Sequence, residues 1–249
     1  HGNGTLRITT RAGFQFHGVL KPHLKSLIAS INQTLLTTLG ACGDVNRNVV
    51  AVGAPLGPVY DELQATADRL AAHFAPRSGA YHEIWLDSEL VAGGDQPAIE
   101  PIYGKVYLPR KFKIGIGLPE DNSIDVFAHD LGLLAIVQRR DADPDTVNGV
   151  PAYARGKVAG YNMLVGGGMG MTHGNANTFP FVGKPICYVT ASQVQDGAEA
   201  VVKLFRDHGN RADRKRARIK YLVHDWGDEK FRQVLAGYLP FPLALPKDV

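Results

Sequence analysis

The sequence predicts an α+β protein with a mixed α/β order, and three observations support this class. The 249 residues are 45% apolar and 20% charged, which is enough to build a core and excludes global disorder. Stretches in which apolar and polar residues alternate are interleaved with stretches in which apolar residues recur every three or four positions. No internal repeat or low-complexity linker interrupts this order. Alternating strands and amphipathic helices are typical of one large or two small mixed domains.

Residues 5–11 predict a strand, and residues 22–39 predict an amphipathic helix. Leu6 and Ile8 share one face of the strand, because successive strand side chains change face. The other face carries Arg7, Thr9 and Arg11. Gly40 follows the last apolar residue of the helix and predicts its end.

The later elements follow from the same two periodicities. We expect helices at 58–74, 191–208, 211–221 and 228–237, and strands at 81–87, 111–118, 133–138 and 157–165. A glycine-rich turn, GGGMGMTHGN (166–175), follows the last of these strands. In strand 111–118, apolar residues alternate with Lys111 and Lys113, so we expect both ammonium groups on one face.

Positive charge is concentrated locally, although the net charge is only +3. Lys and Arg are dense in two stretches, 108–113 and 206–220. A solvated helix face is the simpler interpretation of a lone charge run. The pair Lys111 and Lys113 is different, because two cations on one strand face repel unless the face is open to water or an anion lies between them.

Arg47 lies between two asparagines, Asn46 and Asn48, just before an apolar run. This arrangement is a dense set of hydrogen-bond donors, and a guanidinium can grip carboxylate or oxyanion oxygens with two parallel bonds. Together with the lysine pair, it predicts a multiply charged anionic ligand.

Several other motifs have a structural interpretation. The glycine-rich turn does not match a dinucleotide loop, because Met171 stands where the third glycine would be. His17 and His173 have no second ligand at a metal spacing, and Cys42 and Cys187 form no CxxC pair. We therefore expect no metal ligand from this chain, no disulfide framework and an intracellular setting. No apolar run reaches the roughly 18 residues of a membrane helix.

Six ordered blocks of the chain resemble the sirohaem-dependent sulfite reductase haemoproteins of the sulfite/nitrite reductase family. The blocks are TTRAGFQFHG (9–18), DVNRNV (44–49), LPRKFK (108–113), GYNMLVGGGM (160–169), THGN (172–175) and GNRADRKRARIKY (209–221). They cover almost the whole chain in the family's order, and no single block would be specific by itself.

The resemblance implies a division into two parts. Residues 1–40 would be the end of the first half of a ferredoxin-like, pseudo-symmetric domain, and residues 41–249 would be a larger, mixed-sheet, central sirohaem-binding domain. The chain opens at His1 with a strand-like stretch, so we expect further sequence upstream, and the family's second half-domain would follow residue 249. A central fragment of this kind is expected to be inactive in isolation.

The resemblance also implies two cofactors, sirohaem and a [4Fe-4S] cluster. The four cysteines of the cluster have no match in Cys42 or Cys187. Sirohaem carries many carboxylates and sulfite is an oxyanion, which accounts for the basic faces. The residues expected to bind sulfite are Arg47, Lys111 and Lys113. Those expected to contact sirohaem are Arg7, Thr9, Arg11, His17, Asn46, Arg110, Gly167, Gly168, His173, Asn175, Arg211 and Arg214.

The implied reaction is the six-electron reduction of sulfite to sulfide, in which Lys111 and Lys113 supply positive charge and protons. Nitrite reductases of the family usually have asparagine at the position of Lys113, and a second ammonium suits doubly charged sulfite. Ferredoxin-nitrite reductase is the alternative within the family. The sequence does not decide whether the electron donor is ferredoxin or a flavoprotein subunit. It also does not decide whether the protein acts in the bacterial cytoplasm or the plastid stroma. No membrane partner is expected.

Two readings from other classes remain at this point. A nucleic-acid-binding module would explain the basic stretch 206–220, but the aromatic residues Phe14, Phe16 and Phe112 alternate away from the cations, whereas single-strand binding needs exposed aromatic rings among them. We therefore expect no nucleic-acid partner. A structural or regulatory relative without a redox centre is the other reading.

Overall fold

The computed structural model describes residues 1–9, 13–38, 40–77, 84–86, 89–92, 99–139 and 145–249. Its strands are β1 (Leu6–Ile8), β2 (Phe14–Phe16), β3 (Asn46–Ala51), β4 (Ile84–Leu86), β5 (Glu89–Ala92), β6 (Phe112–Gly117), β7 (Leu131–Gln138), β8 (Thr146–Val147), β9 (Val150–Pro151), β10 (Lys157–Val165) and β11 (Lys184–Thr190). Its α-helices are α1 (Leu24–Gln33), α2 (Pro58–His73), α3 (Ala152–Arg155), α4 (Val194–His208) and α5 (Ile219–Ala236). Short 3-10 turns lie at Lys21–His23, Val126–Ala128 and Arg214–Arg216.

The centre of the protein is a mixed sheet with the strand order β11, β10, β7, β6, β3. Strands β3, β6 and β7 are parallel to one another, and β10 and β11 continue the sheet in antiparallel pairing. A parallel pair needs a crossover connection, and α2 lies in the connection between β3 and β6. The predicted mixed α/β class is confirmed.

The main core lies between this sheet and the helices α2, α4 and α5. Strand β6 is buried on both faces, and it contributes Phe112, Ile114 and Ile116 to the core. Burial of each such side chain contributes about 1.5–3 kcal/mol. Helix α2 begins with Pro58 at its first turn, where the missing amide proton costs nothing.

The opposite face of the sheet is covered by the segment Val126–His129, and glycines make room for it. A Cβ on Gly115 would lie 2.5 Å from the His129 ring, and a Cβ on Gly132 would lie 2.4 Å from the Val126 carbonyl oxygen. Lys113 lies on the same face of β6 as Gly115, two residues away. This segment therefore covers the face of the sheet to which Lys113 belongs.

The N-terminal part of the chain is arranged differently. Strands β1 and β2 form an antiparallel hairpin, and α1 follows it. Among the described residues of these three elements, no side chain is buried. Among all described residues, no helix is long and apolar enough to cross a membrane.

The predicted elements at 58–74, 111–118, 133–138, 157–165 and 191–208 are confirmed to within a few residues. Of strand 5–11, Leu6–Ile8 is a strand and Thr9, whose amide donates to the Gly13 carbonyl, lies outside it; residues 10 and 11 lie outside the described residues. Helix 22–39 is too long: α1 ends at Gln33, and Leu35 adopts a left-handed φ of 63°. Of strand 81–87, only Ile84–Leu86 is described, and it is a strand.

Strands β3 and β11 are absent from the prediction. The asparagine-flanked stretch at Arg47 is part of β3, not a loop. The predicted helix 228–237 is confirmed, because the span α5 (Ile219–Ala236) is divided into two helical stretches by the non-helical backbone of Gly227. The predicted helix 211–221 is wrong in its bounds, since Arg214–Arg216 form a 3-10 turn and the first helical stretch begins at Ile219.

Candidate functional site

One edge of the central sheet gathers the three residues predicted to bind sulfite and three of those predicted to contact sirohaem. The parallel strands β3, β6 and β7 all begin there, and the antiparallel strand β10 ends there, with Val165 opposite Leu131. Residues at or beside these strand ends form what we call the edge cluster. Its members are Asn46, Arg47, Lys111, Lys113, Asp130, Gly167, Gly168 and Arg218.

Arg47 lies at an irregularity of the pairing between β3 and β6. Asn46 pairs with Phe112 and Asn48 pairs with Lys113, so Arg47 is the extra residue between two register positions. Its Nε donates to the Gly43 carbonyl at 3.0 Å, and its Nη2 lies 3.7 Å from the sulfur of Cys42. The bulge therefore places a half-buried guanidinium on the strand next to Lys113.

Lys113 is buried, with only 7% of its surface exposed. Its Nζ lies 3.8 Å from Oδ2 of Asp130, and Oδ1 of Asp130 accepts a 2.7 Å hydrogen bond from Arg218 Nη2. The sequence suggested that the lysine pair is tolerated because its face is open to water or because an anion binds between the two side chains. For Lys113 the structure shows a third solution, a carboxylate of the protein itself. The fold places an internal carboxylate between Lys113 and Arg218, which is how buried cations are normally tolerated.

The glycine-rich turn runs close to other backbone. A Cβ on Gly167 would lie 2.3 Å from the Phe127 carbonyl oxygen, and one on Gly168 would lie 2.6 Å from Nη1 of Arg218. The Gly168 amide donates to the Phe181 carbonyl at 2.8 Å, and the reverse bond is 3.0 Å. Only glycine permits this approach.

Lys220 holds the glycine-rich turn from beneath. It is fully buried, and its ammonium donates to the carbonyls of Gly168 at 3.1 Å, Gly170 at 2.7 Å and Phe179. Burial, with a smaller contribution from the Arg218 charge, lowers the pKa of Lys220 to about 8. The group is therefore still mainly protonated at neutral pH.

Asn46 carries a buried acceptor. Its backbone amide donates to the Tyr103 hydroxyl at 3.2 Å, and that hydroxyl donates to the Phe74 carbonyl at 2.6 Å. The Oδ1 atom of the Asn46 side chain is buried and has no hydrogen-bond partner among the described residues. A buried acceptor of this kind is normally satisfied by a ligand or a water molecule.

Arg211 and Arg214 line a cavity of about 510 Å³ next to the edge cluster. Arg211 donates to three backbone carbonyls, those of Val106, Tyr107 and Arg206. Arg214 forms a forked ion pair with Asp44 at 3.1 and 3.3 Å. Both guanidiniums therefore already have protein acceptors. Arg110 precedes Lys111 and is half-buried.

Three more of the predicted residues form contacts within the N-terminal hairpin. In the N-terminal hairpin, Arg7 pairs with Gln15, Thr9 Oγ1 accepts from the Gly13 amide at 3.1 Å, and Nδ1 of His17 lies 3.0 Å from Thr5 Oγ1. Arg11 lies outside the described residues.

His173 and Asn175 end the glycine-rich turn. His173 is exposed, and Oδ1 of Asn175 accepts from the Asn177 amide at 3.0 Å.

Three residues of this region were missed by sequence reasoning: Asp130, Arg218 and Lys220. Asp130 is a lone acid directly before the apolar run of β7, a signal that a charged side chain enters the core at a strand end. Arg218 and Lys220 were hidden in the basic stretch, whose simpler interpretation as a solvated face fails for these two.

The two cysteines have different surroundings. Cys187 is in the core, and burial raises the pKa of its thiol to about 12. Cys42 is exposed beside Arg47. Among the described residues, no group of three His, Cys, Asp or Glu side chains is placed to hold a metal ion.

Comparison with known proteins gives consistent family matches. The family model described as the nitrite and sulphite reductase 4Fe-4S domain matches residues 65–243, and the nitrite/sulfite reductase ferredoxin-like half domain matches residues 1–34. The chain is 48% identical over 244 residues to a protein of Anoxybacillus flavithermus, and 45% identical over 244 residues to one of Bacillus subtilis. Both are named sulfite reductase [NADPH] hemoprotein beta-component. Each match covers 98% of this chain and 40% of the relative, so the chain spans well under half of the relatives' length.

Two solved structures share the fold. The NirA protein of Mycobacterium tuberculosis has a TM-score of 0.64 at 22% identity, covering 98% of this chain and 36% of NirA. Dissimilatory sulfite reductase I has a TM-score of 0.55 at 11% identity, covering 100% of this chain and 66% of that protein.

Proposed function

This chain belongs to the nitrite and sulfite reductase family, and from that membership we propose that it forms the sulfite- and sirohaem-binding part of an assimilatory sulfite reductase haemoprotein. The whole enzyme would reduce sulfite to sulfide in a six-electron reaction that uses sirohaem and a [4Fe-4S] cluster. The names of the relatives support this substrate.

The observation that carries the proposal is the convergence of Arg47, Lys111 and Lys113 on one edge of the sheet. An anion near several cations in a partly buried setting is attracted far more strongly than in water. A guanidinium supplies two parallel donors for neighbouring oxygens, and each ammonium supplies a compact positive charge. Sulfite matches this set in charge and in its number of acceptors.

The residues present also fit sirohaem. The buried Oδ1 of Asn46 has no partner among the described residues, which fits a ligand at this edge of the sheet. The peripheral carboxylates of the ring need donors, and Arg110, Arg211 and Arg214 lie next to this edge. We propose the same role for Arg7, Thr9, Arg11, His17, His173 and Asn175. When bound, sirohaem would supply the electrons for the reduction of sulfite.

The chain's own residues would bind, orient and protonate the substrate. Lys111 and Lys113 neutralise the oxyanion and donate hydrogen bonds to its oxygens, which is where protons are needed when each S–O bond breaks. Arg47 fixes the orientation of the substrate through its fork. The burial of Lys113 keeps water away from its ammonium, so water screens its attraction for a bound anion less than at an exposed site, while Asp130 balances part of its charge.

Sulfite is preferred over nitrite on the identity of Lys113. A second ammonium stabilises a dianion more than a monoanion. Lys113→Asn is therefore expected to lower kcat/KM for sulfite more than for nitrite. Equal losses for both anions would remove this argument, and ferredoxin-nitrite reductase would become the better assignment.

The relatives' names also bear on the electron donor and on location. They describe an NADPH-dependent beta-component, so we propose a separate flavoprotein component, in preference to ferredoxin, as the partner. The same names come from bacteria, which favours the cytoplasm over a plastid as the place of action.

The test uses the full-length gene product that contains this chain. Its optical spectrum should show sirohaem absorption that shifts on addition of sulfite. Arg47→Met, Lys111→Met and Lys113→Met should each lower kcat/KM for sulfite about 100-fold while sirohaem is retained. Lys157→Met, an exposed lysine of β10 near the opposite edge of the sheet, is the matched control and should leave kcat/KM unchanged. A product without sirohaem absorption, or variants as active as the control, would refute the assignment.

A further inference from the structure

We infer that Asp130 is a positioning residue for the substrate-binding lysine Lys113 and joins it to the turn proposed to approach sirohaem. The inference rests on the proposed function. It assigns a role to a carboxylate that neither the sequence motifs nor the relatives' names point to.

The three oxygens of Asp130 face three different groups, and two of them accept hydrogen bonds. Its backbone carbonyl accepts from the Gly166 amide at 3.0 Å, at the start of the glycine-rich turn. Its Oδ1 accepts from Arg218 Nε at 3.2 Å and Nη2 at 2.7 Å, and Arg218 Nη2 also donates to the Gly167 carbonyl at 3.2 Å. Its Oδ2 faces Nζ of Lys113. One residue thus connects the turn, the start of α5 and the lysine.

The two cations are held in different ways. Arg218 forms direct hydrogen bonds to Asp130, whereas the 3.8 Å separation of Lys113 Nζ from Oδ2 is too long for an ordinary hydrogen bond. Asp130 therefore stabilises the ammonium by charge without taking up one of its three donors at hydrogen-bond distance. The ammonium is thus kept in place by a carboxylate that does not itself occupy one of its donors.

The burial of the carboxylate makes this control strong. Only 1% of the Asp130 side chain is exposed, and 9% of that of Lys113. In such surroundings an ionised carboxylate and an ammonium need each other, because neither is stabilised by water. Removing the negative charge would remove the attraction that Asp130 exerts on Lys113 and leave the repulsion from Arg218, so the ammonium would be displaced.

Asp130 could instead act only on the stability of the fold. A double-mutant cycle distinguishes that structural role from the positioning of Lys113. In the holoenzyme, Asp130→Asn should lower kcat/KM for sulfite about 10- to 100-fold with sirohaem retained. The same substitution in a Lys113→Met background should change kcat/KM less than about twofold, because the group through which Asp130 acts is gone. Asp225→Asn removes an exposed, two-oxygen partner of Arg216 on α5 and should have no effect in either background.

The outcomes also distinguish this inference from the proposed function. If the wild-type enzyme neither binds nor reduces sulfite, the proposed function fails. If it does, but the losses from Asp130→Asn and Lys113→Met multiply, Asp130 does not act through Lys113 and the inference is overturned. If Asp130→Asn does not retain sirohaem, Asp130→Glu takes its place in the cycle, because it keeps the negative charge but displaces it. Sulfite affinity is then measured by spectroscopic titration. Losses of affinity that multiply would again overturn the inference.

Discussion

Individual glycines shape the site because other residues enter spaces where a Cβ would lie. Gly115 of β6 lies directly beneath the ring of His129, which is itself 3% exposed. His129 is fixed there by a 3.0 Å contact between its Nε2 and the Ile124 carbonyl oxygen. The absence of a side chain at Gly115 thus lets the segment before Asp130 approach the sheet.

Gly115→Ala should lower the free energy of unfolding by about 1–3 kcal/mol, because the new methyl group would lie 2.5 Å from the His129 ring in a packed core. The measurement is urea unfolding followed by circular dichroism. Gly53→Ala is the matched control, since a Cβ there meets nothing within 4 Å. Equal stability of the two variants would contradict the packing described.

Lys220 is the other single residue whose contribution to the stability of the protein can be measured by substitution. Its ammonium satisfies the carbonyls of Gly168, Gly170 and Phe179. Lys220→Met should therefore cost about 1–3 kcal/mol of unfolding free energy at pH 7, because those buried acceptors lose their donor. Lys230→Met, an exposed lysine of the same helix, is the control.

The pH dependence of the Lys220 effect has a definite sign. Burial lowers the pKa of Lys220 from 10.5 to about 8, so between these values the unfolded chain binds a proton that the folded chain does not. The unfolding free energy of the wild type should therefore rise, relative to that of Lys220→Met, as the pH increases through this window. A difference that stays flat or falls in paired urea titrations from pH 7 to 10.5 would show that Lys220 is not desolvated as described.

At the scale of elements, helix α5 changes direction at one residue. Gly227 has φ 73° and ψ 167°, a backbone conformation that L-residues rarely adopt, in the middle of the helix. The first part of the helix carries Lys220 to the glycine-rich turn, and the second part packs Phe231 and Leu235 into the core. The kink at Gly227 lets the two helical stretches of α5 reach different regions.

Gly227→Ala should destabilise the protein by about 1–2 kcal/mol, because a Cβ disfavours this conformation even where space is available. Gly237→Ala, at the end of the same helix with an ordinary φ of −75°, should change stability by less than half as much. Thermal unfolding of the two variants side by side measures the difference. A stabilised Gly227→Ala would mean that the helix can straighten at no cost.

At the scale of the whole molecule, burial is distributed unevenly. Strand β10 pairs with neighbours on both sides and is almost entirely buried, whereas β1, β2 and α1 have no buried side chain among their described residues. Segments with few apolar contacts open at low free-energy cost. The two parts of the chain should therefore differ in local stability.

Amide hydrogen exchange at neutral pH should show this difference directly. Amides of Leu24–Gln33 are expected to exchange at least about 100-fold faster than those of Lys157–Val165, because they open without disturbing the main core. Mass spectrometry of peptides from the two segments measures both in one sample. Similar protection in both would show that the N-terminal part is packed as firmly as the sheet.

The fold was predictable wherever local periodicity and packing agreed. Strand β10 and helix α2 have strong patterns and were placed almost to the residue. Strand β3 was missed because its polar start does not alternate, and its assignment depends on β6, whose Phe112 pairs with Asn46 across a long stretch of chain. Such pairing has no local signal.

The sequence allowed us to predict which cations belong to the site, but not how they are arranged in space. The charges at Arg47, Lys111 and Lys113 and the glycines of the turn are visible in the sequence. The burial of Lys113, the carboxylate of Asp130 beside it and the inward direction of Arg218 are not.

The sequence by itself determined the mixed class of the fold, the order of most elements and the positive charge offered to an anion, because these depend on residue type and local spacing. Only the tertiary structure decided which charges face inward and which carboxylate accompanies them. The physical reason is that the energy of a charge depends on its burial and its neighbours, and both are set by strand pairing between distant parts of the chain.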